Sequence, residues 1–91
     1  MKKIGEYLVT DKEAEKIESG EWKLFESKKY IPGTVIKIRK EKGLWRYKGD
    51  TEACVLFRYY TWRERDNVKF FRTRVKVLDG DWEGTRISLS N

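Results

Sequence analysis

Two runs dominate the pattern of apolar and polar positions along this chain, residues 53–62 and residues 68–78, joined by a short polar stretch at 63–67. Each reads as a strand. Side chains of a strand point alternately to its two faces, so parity sorts each run into two sets. Odd positions give Val55, Phe57, Tyr59, Phe71, Thr73, Val75 and Val77, a set suited to a core. Even positions give Arg58, Tyr60, Trp62, Phe70, Arg72, Arg74 and Lys76, which are rings among cations. The expected hairpin register sets Trp62 against Val68, Tyr60 against Phe70, Arg58 against Arg72 and Leu56 against Arg74. It keeps both core sets on one side, and a slip of one residue would mix the faces. Its cost is the like-charge pair Arg58/Arg72, which a bound phosphate or a carboxylate from elsewhere in the chain would relieve.

The remaining pattern is shorter in period. Residues 4–9 suit a first strand or an extended arm. Thr10, Asp11, Lys12 and Glu13 have the form of a capping box, in which Thr10 and Glu13 bond each other's backbone N–H. A short helix over 11–19 follows, and Gly20 is placed to end it. Its apolar positions are Ala14 and Ile17 alone, a narrow stripe. Trp22, Leu24 and Phe25 suggest an extended segment that pins the helix to the body. Pro32 and Gly33 occupy the second and third positions of a type II turn. Ile36 and Ile38 then face one way along a strand and Lys37 and Arg39 the other. Leu44 to Tyr47 is a short strand between turns. Asp79 and Gly80 form a hairpin turn pair, which Asp81 and Gly84 widen, and a last strand over 85–90 turns Ile87 and Leu89 inward.

Composition adds three constraints. A chain of 91 residues makes one domain. Charged residues reach 40%, yet 14% aromatic residues supply large apolar area and argue for an ordered core. The chain has no His and a single Cys, so an internal disulfide and a multi-cysteine zinc site are excluded. Cys54, inside a strand, reads as a structural thiol. A reducing, cytoplasmic setting is expected, with no signal peptide and no apolar run that spans a bilayer.

The charge is uneven. Residues 1–33 hold seven Lys against seven acidic residues, and residues 34–91 hold fourteen Lys and Arg against eight, so the whole net charge of +6 lies in the strand-rich part. The domain therefore reads as a helix-containing segment over 1–33 and a β body over 34–91. Strands at this spacing with one leading helix indicate a mostly β (α+β) fold, a small single-domain antiparallel β-barrel.

Two tracts resemble known families. Residues 32–38, taken with residues 75–84 (Val75 to Leu78, Asp79-Gly80, then Trp82-Glu83-Gly84), look like SH3-like barrels of the KOW and Tudor kind. In those, a strand, a D-G type turn and an aromatic-x-Gly step precede the closing strand. Residues 17–26, followed by residues 32–38, are similar to the ASCH and PUA-like pattern, with Lys28 where that pattern has Arg and Thr34 where it has Asp. Both resemblances imply a small barrel, SH3-like or PUA-like, and both families include RNA- and DNA-binding members.

The even face of the long hairpin is the main candidate for chemistry. Single-stranded nucleic acid needs rings for its bases and cations along its backbone. Tyr60, Trp62 and Phe70 offer rings, and Arg58, Arg72, Arg74 and Lys76 offer cations. The competing reading is that the helix or the Trp22 segment covers part of this face, where Cys54 and Leu56 also lie. A second basic cluster of Lys37, Arg39, Lys40, Lys42, Arg46 and Lys48 surrounds a loop that carries Trp45 and Tyr47. Arg63 to Asp66 alternates in sign and reads as a solvated loop. Asp79, Asp81 and Glu83 lack EF-hand spacing, and no general acid/base pair, phosphate-cradling loop or nucleophile elbow is present. The expectation is a non-enzymatic nucleic-acid-binding module without a cofactor. The alternatives are a protein-interaction module, an inhibitor or adaptor, docking on an acidic partner, or an oligomer that binds a small nucleotide. Exposed strand edges in so small a barrel can also pair across a homodimer.

Overall fold

A computed structural model describes residues 1–90. Residue 91, the last of the single domain read over 1–91, lies outside the described residues. In chain order the elements are strands β1 (Lys2–Ile4) and β2 (Tyr7–Val9), helix α1 (Asp11–Glu18), and strands β3 (Lys23–Phe25), β4 (Val35–Glu41), β5 (Leu44–Tyr47), β6 (Thr51–Arg63), β7 (Val68–Val77) and β8 (Arg86–Ser90). Single 3-10 turns over Glu64–Asp66 and Gly80–Trp82 join the last three strands. The fold is mostly β with one short helix. Among the described residues no helix is long and apolar enough to cross a membrane.

The main sheet runs β5-β4-β6-β7-β8, all antiparallel. β6 is long enough to be shared. Its residues Thr51 to Cys54 pair with β4 and its residues Arg58 to Tyr60 pair with β3, while β7 occupies its other edge. The expected barrel stays open, because β5 and β8 are the two ends of the strand path and do not pair. β3, from the helix-containing segment, pairs with β6 and so belongs to the same sheet as β4–β8. Residues 4–9, read as one strand or arm, are part of a two-stranded hairpin, with Ile4 opposite Tyr7.

Local signals explain most element ends. Thr10 Oγ1 accepts from the Glu13 N–H at 3.1 Å and Glu13 Oε1 accepts from the Thr10 N–H at 2.9 Å, so the capping box forms as the sequence predicts. The Thr34 N–H donates to the Ile31 carbonyl at 3.0 Å across a turn with Gly33 at φ +93°, the left-handed position that a type II turn requires. Gly49 sits against the β4 backbone, where a Cβ would overlap the Ile38 carbonyl.

The hairpin β6–β7 departs from the expected register at one point. Ala53, Cys54 and Val55 pair with Val77, Lys76 and Val75 as expected. Leu56 is then an extra residue in β6, and from Phe57↔Arg74 to Arg63↔Val68 the register is displaced by one. This β-bulge reverses the pleat of one strand relative to the other. Arg58 therefore faces Thr73, not Arg72, and the like-charge pair is never made.

The bulge produces two cores on opposite faces. On the inner face Ile38, Ala53, Val55, Val75, Val77 and Leu89 are buried together, and Ile36, Tyr47 and Ile87 pack against them. On the outer face Phe57 and Tyr59 are buried under Val9, Ala14, Ile17 and Trp22 of the N-terminal segment. The Trp22 ring stacks on Tyr59 at 4.0 Å between centroids and 14° between planes. The expectation that Phe57 and Tyr59 share a core with Val55 is corrected: the extra residue turns them to the other side.

One carboxylate ties the outer layer to the sheet. Glu13, 1% exposed, accepts from Arg86 Nη2 at 2.7 Å and Nε at 3.0 Å and from Arg74 Nε at 2.7 Å. Burial alone would push this carboxyl up, but the Arg86 bonds, the Thr10 N–H and Arg74 outweigh it and hold its pKa at about 2, against an ordinary 4.5. A depression of that size corresponds to about 3 kcal/mol of folding free energy. It is complete above about pH 4.5 and is lost as pH falls toward 2. We expect Glu13→Gln to cost about 3–5 kcal/mol in chemical denaturation, because two arginines lose their counter-charge. The variant should also lose most of the acid-dependent decline in Tm that the wild type shows between those pH values. A variant that keeps that decline would contradict the assignment.

Candidate nucleic-acid interface

The bulge at Leu56 divides the predicted ring-and-cation set between two faces. Tyr60 and Trp62 lie on the inner face at the far end of the hairpin, opposite Phe71 and Lys69. β3 adds Lys23 opposite Tyr60 and Phe25 opposite Arg58. Phe25, Tyr60 and Phe71 form a ring cluster, with centroids 5.4 Å apart for Phe25–Phe71, 5.8 Å for Tyr60–Phe71 and 6.1 Å for Phe25–Tyr60. The Lys69 ammonium lies 5.0 Å from the Tyr60 ring. Trp62 and Phe71 remain 44% and 41% exposed, beyond the reach of the inner core. Trp62 Nε1 donates to Asn67 Oδ1 at 2.9 Å, which fixes the indole edge against the hairpin loop.

The even positions of β7 lie on the outer face. Phe70 is half-buried between the guanidinium carbons of Arg63, 5.2 Å away, and Arg72, 5.9 Å away. Arg63 is paired with Asp66, and Arg72 donates to the Phe71 carbonyl at 3.0 Å. Arg74 is committed to Glu13 and Ser88 and covers the Trp22 ring at 5.3 Å. Lys76 is exposed on this face, next to Arg86 across the β7–β8 ladder.

Arg58 belongs to the inner face but not to its surface. It is 7% exposed, donating through Nε to Thr73 Oγ1 at 3.2 Å and through Nη1 to Ser27 Oγ at 3.0 Å. Thr73 Oγ1 also accepts from the Tyr47 hydroxyl at 2.8 Å. Burial pushes the Tyr47 phenol up from its ordinary value, which keeps it protonated.

The second basic cluster is also split by strand alternation. Arg39 and Arg46 face each other across β4–β5, and Arg39 is paired with Glu41 at 3.0 Å. Lys37 lies opposite Glu52. Trp45 points to the other face, edge-on to Trp82 at 5.9 Å and 89°, with the Lys40 ammonium 3.7 Å from the Trp82 ring centroid.

Sequence parity missed Phe71, Lys69, Phe25 and Lys23 as surface partners of Tyr60 and Trp62. No residue between Ala53 and Phe57 is charged, so the pleat of this stretch carries no polar marker that would reveal the bulge. Among the described residues no cluster of three or more His, Cys, Asp or Glu is placed to hold a metal ion. No family model, no curated protein and no solved structure matches this chain.

The division of faces has a direct energetic signature. Phe57→Ala should lower stability by about 3–5 kcal/mol, the cost of emptying a buried ring site. Phe71→Ala should cost about 1 kcal/mol or less, since that ring loses only surface contacts. Urea denaturation of the two variants measures both; equal costs would return the two rings to one core.

Proposed function

We propose that this protein is a non-enzymatic module that binds single-stranded nucleic acid at the far end of the β6–β7 hairpin. The observation that carries the reading is the inner-face cluster of Phe25, Tyr60, Trp62 and Phe71 with Lys23 and Lys69 beside it. Among the described residues neither lysine is paired with a carboxylate. Exposed rings accept base faces at about 1–3 kcal/mol per base, without regard to sequence. Ammonium groups next to them neutralise phosphates, which makes binding salt-dependent. The net charge of +6, all of it after residue 33, supports the same class of ligand. So does the resemblance of residues 17–38 and 75–84 to PUA-like and SH3-like barrels. The exposed Trp62 and partly exposed Tyr60 also suit docking on an acidic protein, but Lys23 and Lys69 beside these rings favour a strand whose bases stack. With a single Cys and therefore no internal disulfide, we place the protein in the cytoplasm.

Fluorescence anisotropy with a labelled single-stranded oligonucleotide at several salt concentrations tests this reading. We expect Trp62→Ala/Phe71→Ala to weaken binding about 10- to 100-fold. Lys69→Ala should reduce the slope of log K against log salt by about 0.7. Phe70→Ala, on the opposite face, should leave affinity unchanged. A flat isotherm at low salt would overturn the proposal.

A further inference from the structure

Arg58 is buried differently from Arg74 and Arg86. Those two converge on Glu13, whereas among the described residues no carboxylate pairs with Arg58. Its protein partners are the neutral hydroxyls of Thr73 and Ser27. The rings of Phe25 and Tyr30 cover the guanidinium at 4.9 and 5.5 Å. A guanidinium has five N–H donors, and a buried cation without a counter-charge is costly.

Arg58 also borders two cavities. The smaller, about 230 Å³, is lined by Lys29, Tyr30, Tyr47 and Arg58, two cations and two phenols, with no carboxylate among the described residues. The larger, about 490 Å³, shares Arg58 and Tyr30 and has Tyr7, Phe25 and Pro32 in its walls, together with Glu6, Glu26 and Lys28. Tyr30 lies between them: its ring stacks on Tyr47 at 4.8 Å and 19°, and its backbone is left-handed at φ 57°. A bulky residue adopts that conformation only where its surroundings enforce it.

We propose that the smaller cavity binds one phosphate group, held by Arg58 and Lys29, and that the larger receives the nucleoside that carries it. An arginine fork matches the oxygens of a phosphate and supplies the missing counter-charge to Arg58. The ring walls of the larger cavity suit the face of a base. Its carboxylates accept hydrogen bonds from base or ribose. A free nucleoside monophosphate and the terminal nucleotide of a strand present the same chemistry. The site does not depend on the strand-binding surface, although Phe25 touches both: its ring lies 4.9 Å from Arg58 and 6.1 Å from Tyr60.

Thermal unfolding at matched ionic strength with inorganic phosphate, adenosine monophosphate or adenosine tests the proposal. Saturating phosphate should raise the wild-type Tm by about 5 °C. Adenosine monophosphate should do so at lower concentration, and adenosine should not. Lys29→Ala removes an exposed cation and should need about ten-fold more adenosine monophosphate for the same shift. Arg58→Met should abolish the shift and, without ligand, unfold no earlier than the wild type, because an unpaired buried charge has been removed. Comparison of 5′-phosphorylated and unphosphorylated oligonucleotides separates the two sources: tighter binding of the former assigns the pocket to a strand end, and equal binding assigns it to a free nucleotide. A wild type indifferent to both phosphate and adenosine monophosphate, or a Lys29→Ala variant with unchanged dependence, overturns the proposal. Loss of oligonucleotide binding alone would instead strike the strand-binding surface and leave the adenosine monophosphate response intact.

Discussion

The extra residue in β6, Leu56, is the constraint on which the rest of the structure depends. A hairpin with perfect alternation would place Val55, Phe57 and Tyr59 on one side and spend them on a single core. The bulge lets one continuous strand feed two. Val55 joins the inner core with Val75 and Leu89, and Phe57 and Tyr59 join the outer core with Trp22 and Val9. The same residue lies where β6 exchanges one neighbour for another, β4 along Thr51 to Cys54 and β3 along Arg58 to Tyr60. Bulges bend and twist the strand that carries them. Here that distortion sits where the edge of β6 changes partner.

Two apolar faces on one thin sheet require a second layer, and α1 with the β1–β2 hairpin supplies it. The narrow apolar stripe of α1, Ala14 and Ile17, is supplemented by Val9 and Trp22. Glu13 adds a charged tie. It closes the helix N-terminus through the capping box and gathers Arg74 and Arg86 from two adjacent strands. One acidic residue thus commits two cations of the basic half, Arg74 and Arg86, to structure. Arg74 and Arg86 on the outer face are paired with Glu13, and Lys69 at the inner end of the hairpin is left to solvent.

Much of this was legible in the sequence wherever the determining signal is local. The capping box at Thr10 and Glu13, the Pro32–Gly33 turn, the wide connection after Leu78, and the inward sets Ile36/Ile38 and Ile87/Leu89 all follow from neighbours a few residues apart. The bulge was not legible, because the apolar run from Ala53 to Phe57 tolerates either pleat. The partnership of Glu13 with Arg74 and Arg86 was not legible either, since 61 and 73 residues separate them. Parity therefore found the right residue types and assigned them to one face, where the folded chain uses two. Tyr60 and Trp62 kept their place in the candidate surface, Arg58 sank beneath it, and Phe71 rose from the expected core to join it.

The account of function rests on that partition: Trp62 and Phe71 open on the inner face, Arg74 and Arg86 spent on Glu13 on the outer one. Titration of the labelled protein with a single-stranded oligonucleotide, followed through side-chain NMR signals, tests it most directly. The account predicts that the Trp62 indole and the Tyr60 and Phe71 rings shift together, while the Phe70 ring and the Arg74 guanidinium stay still. Shifts confined to Phe70, Arg72 and Arg74, or no shifts at all, would contradict it.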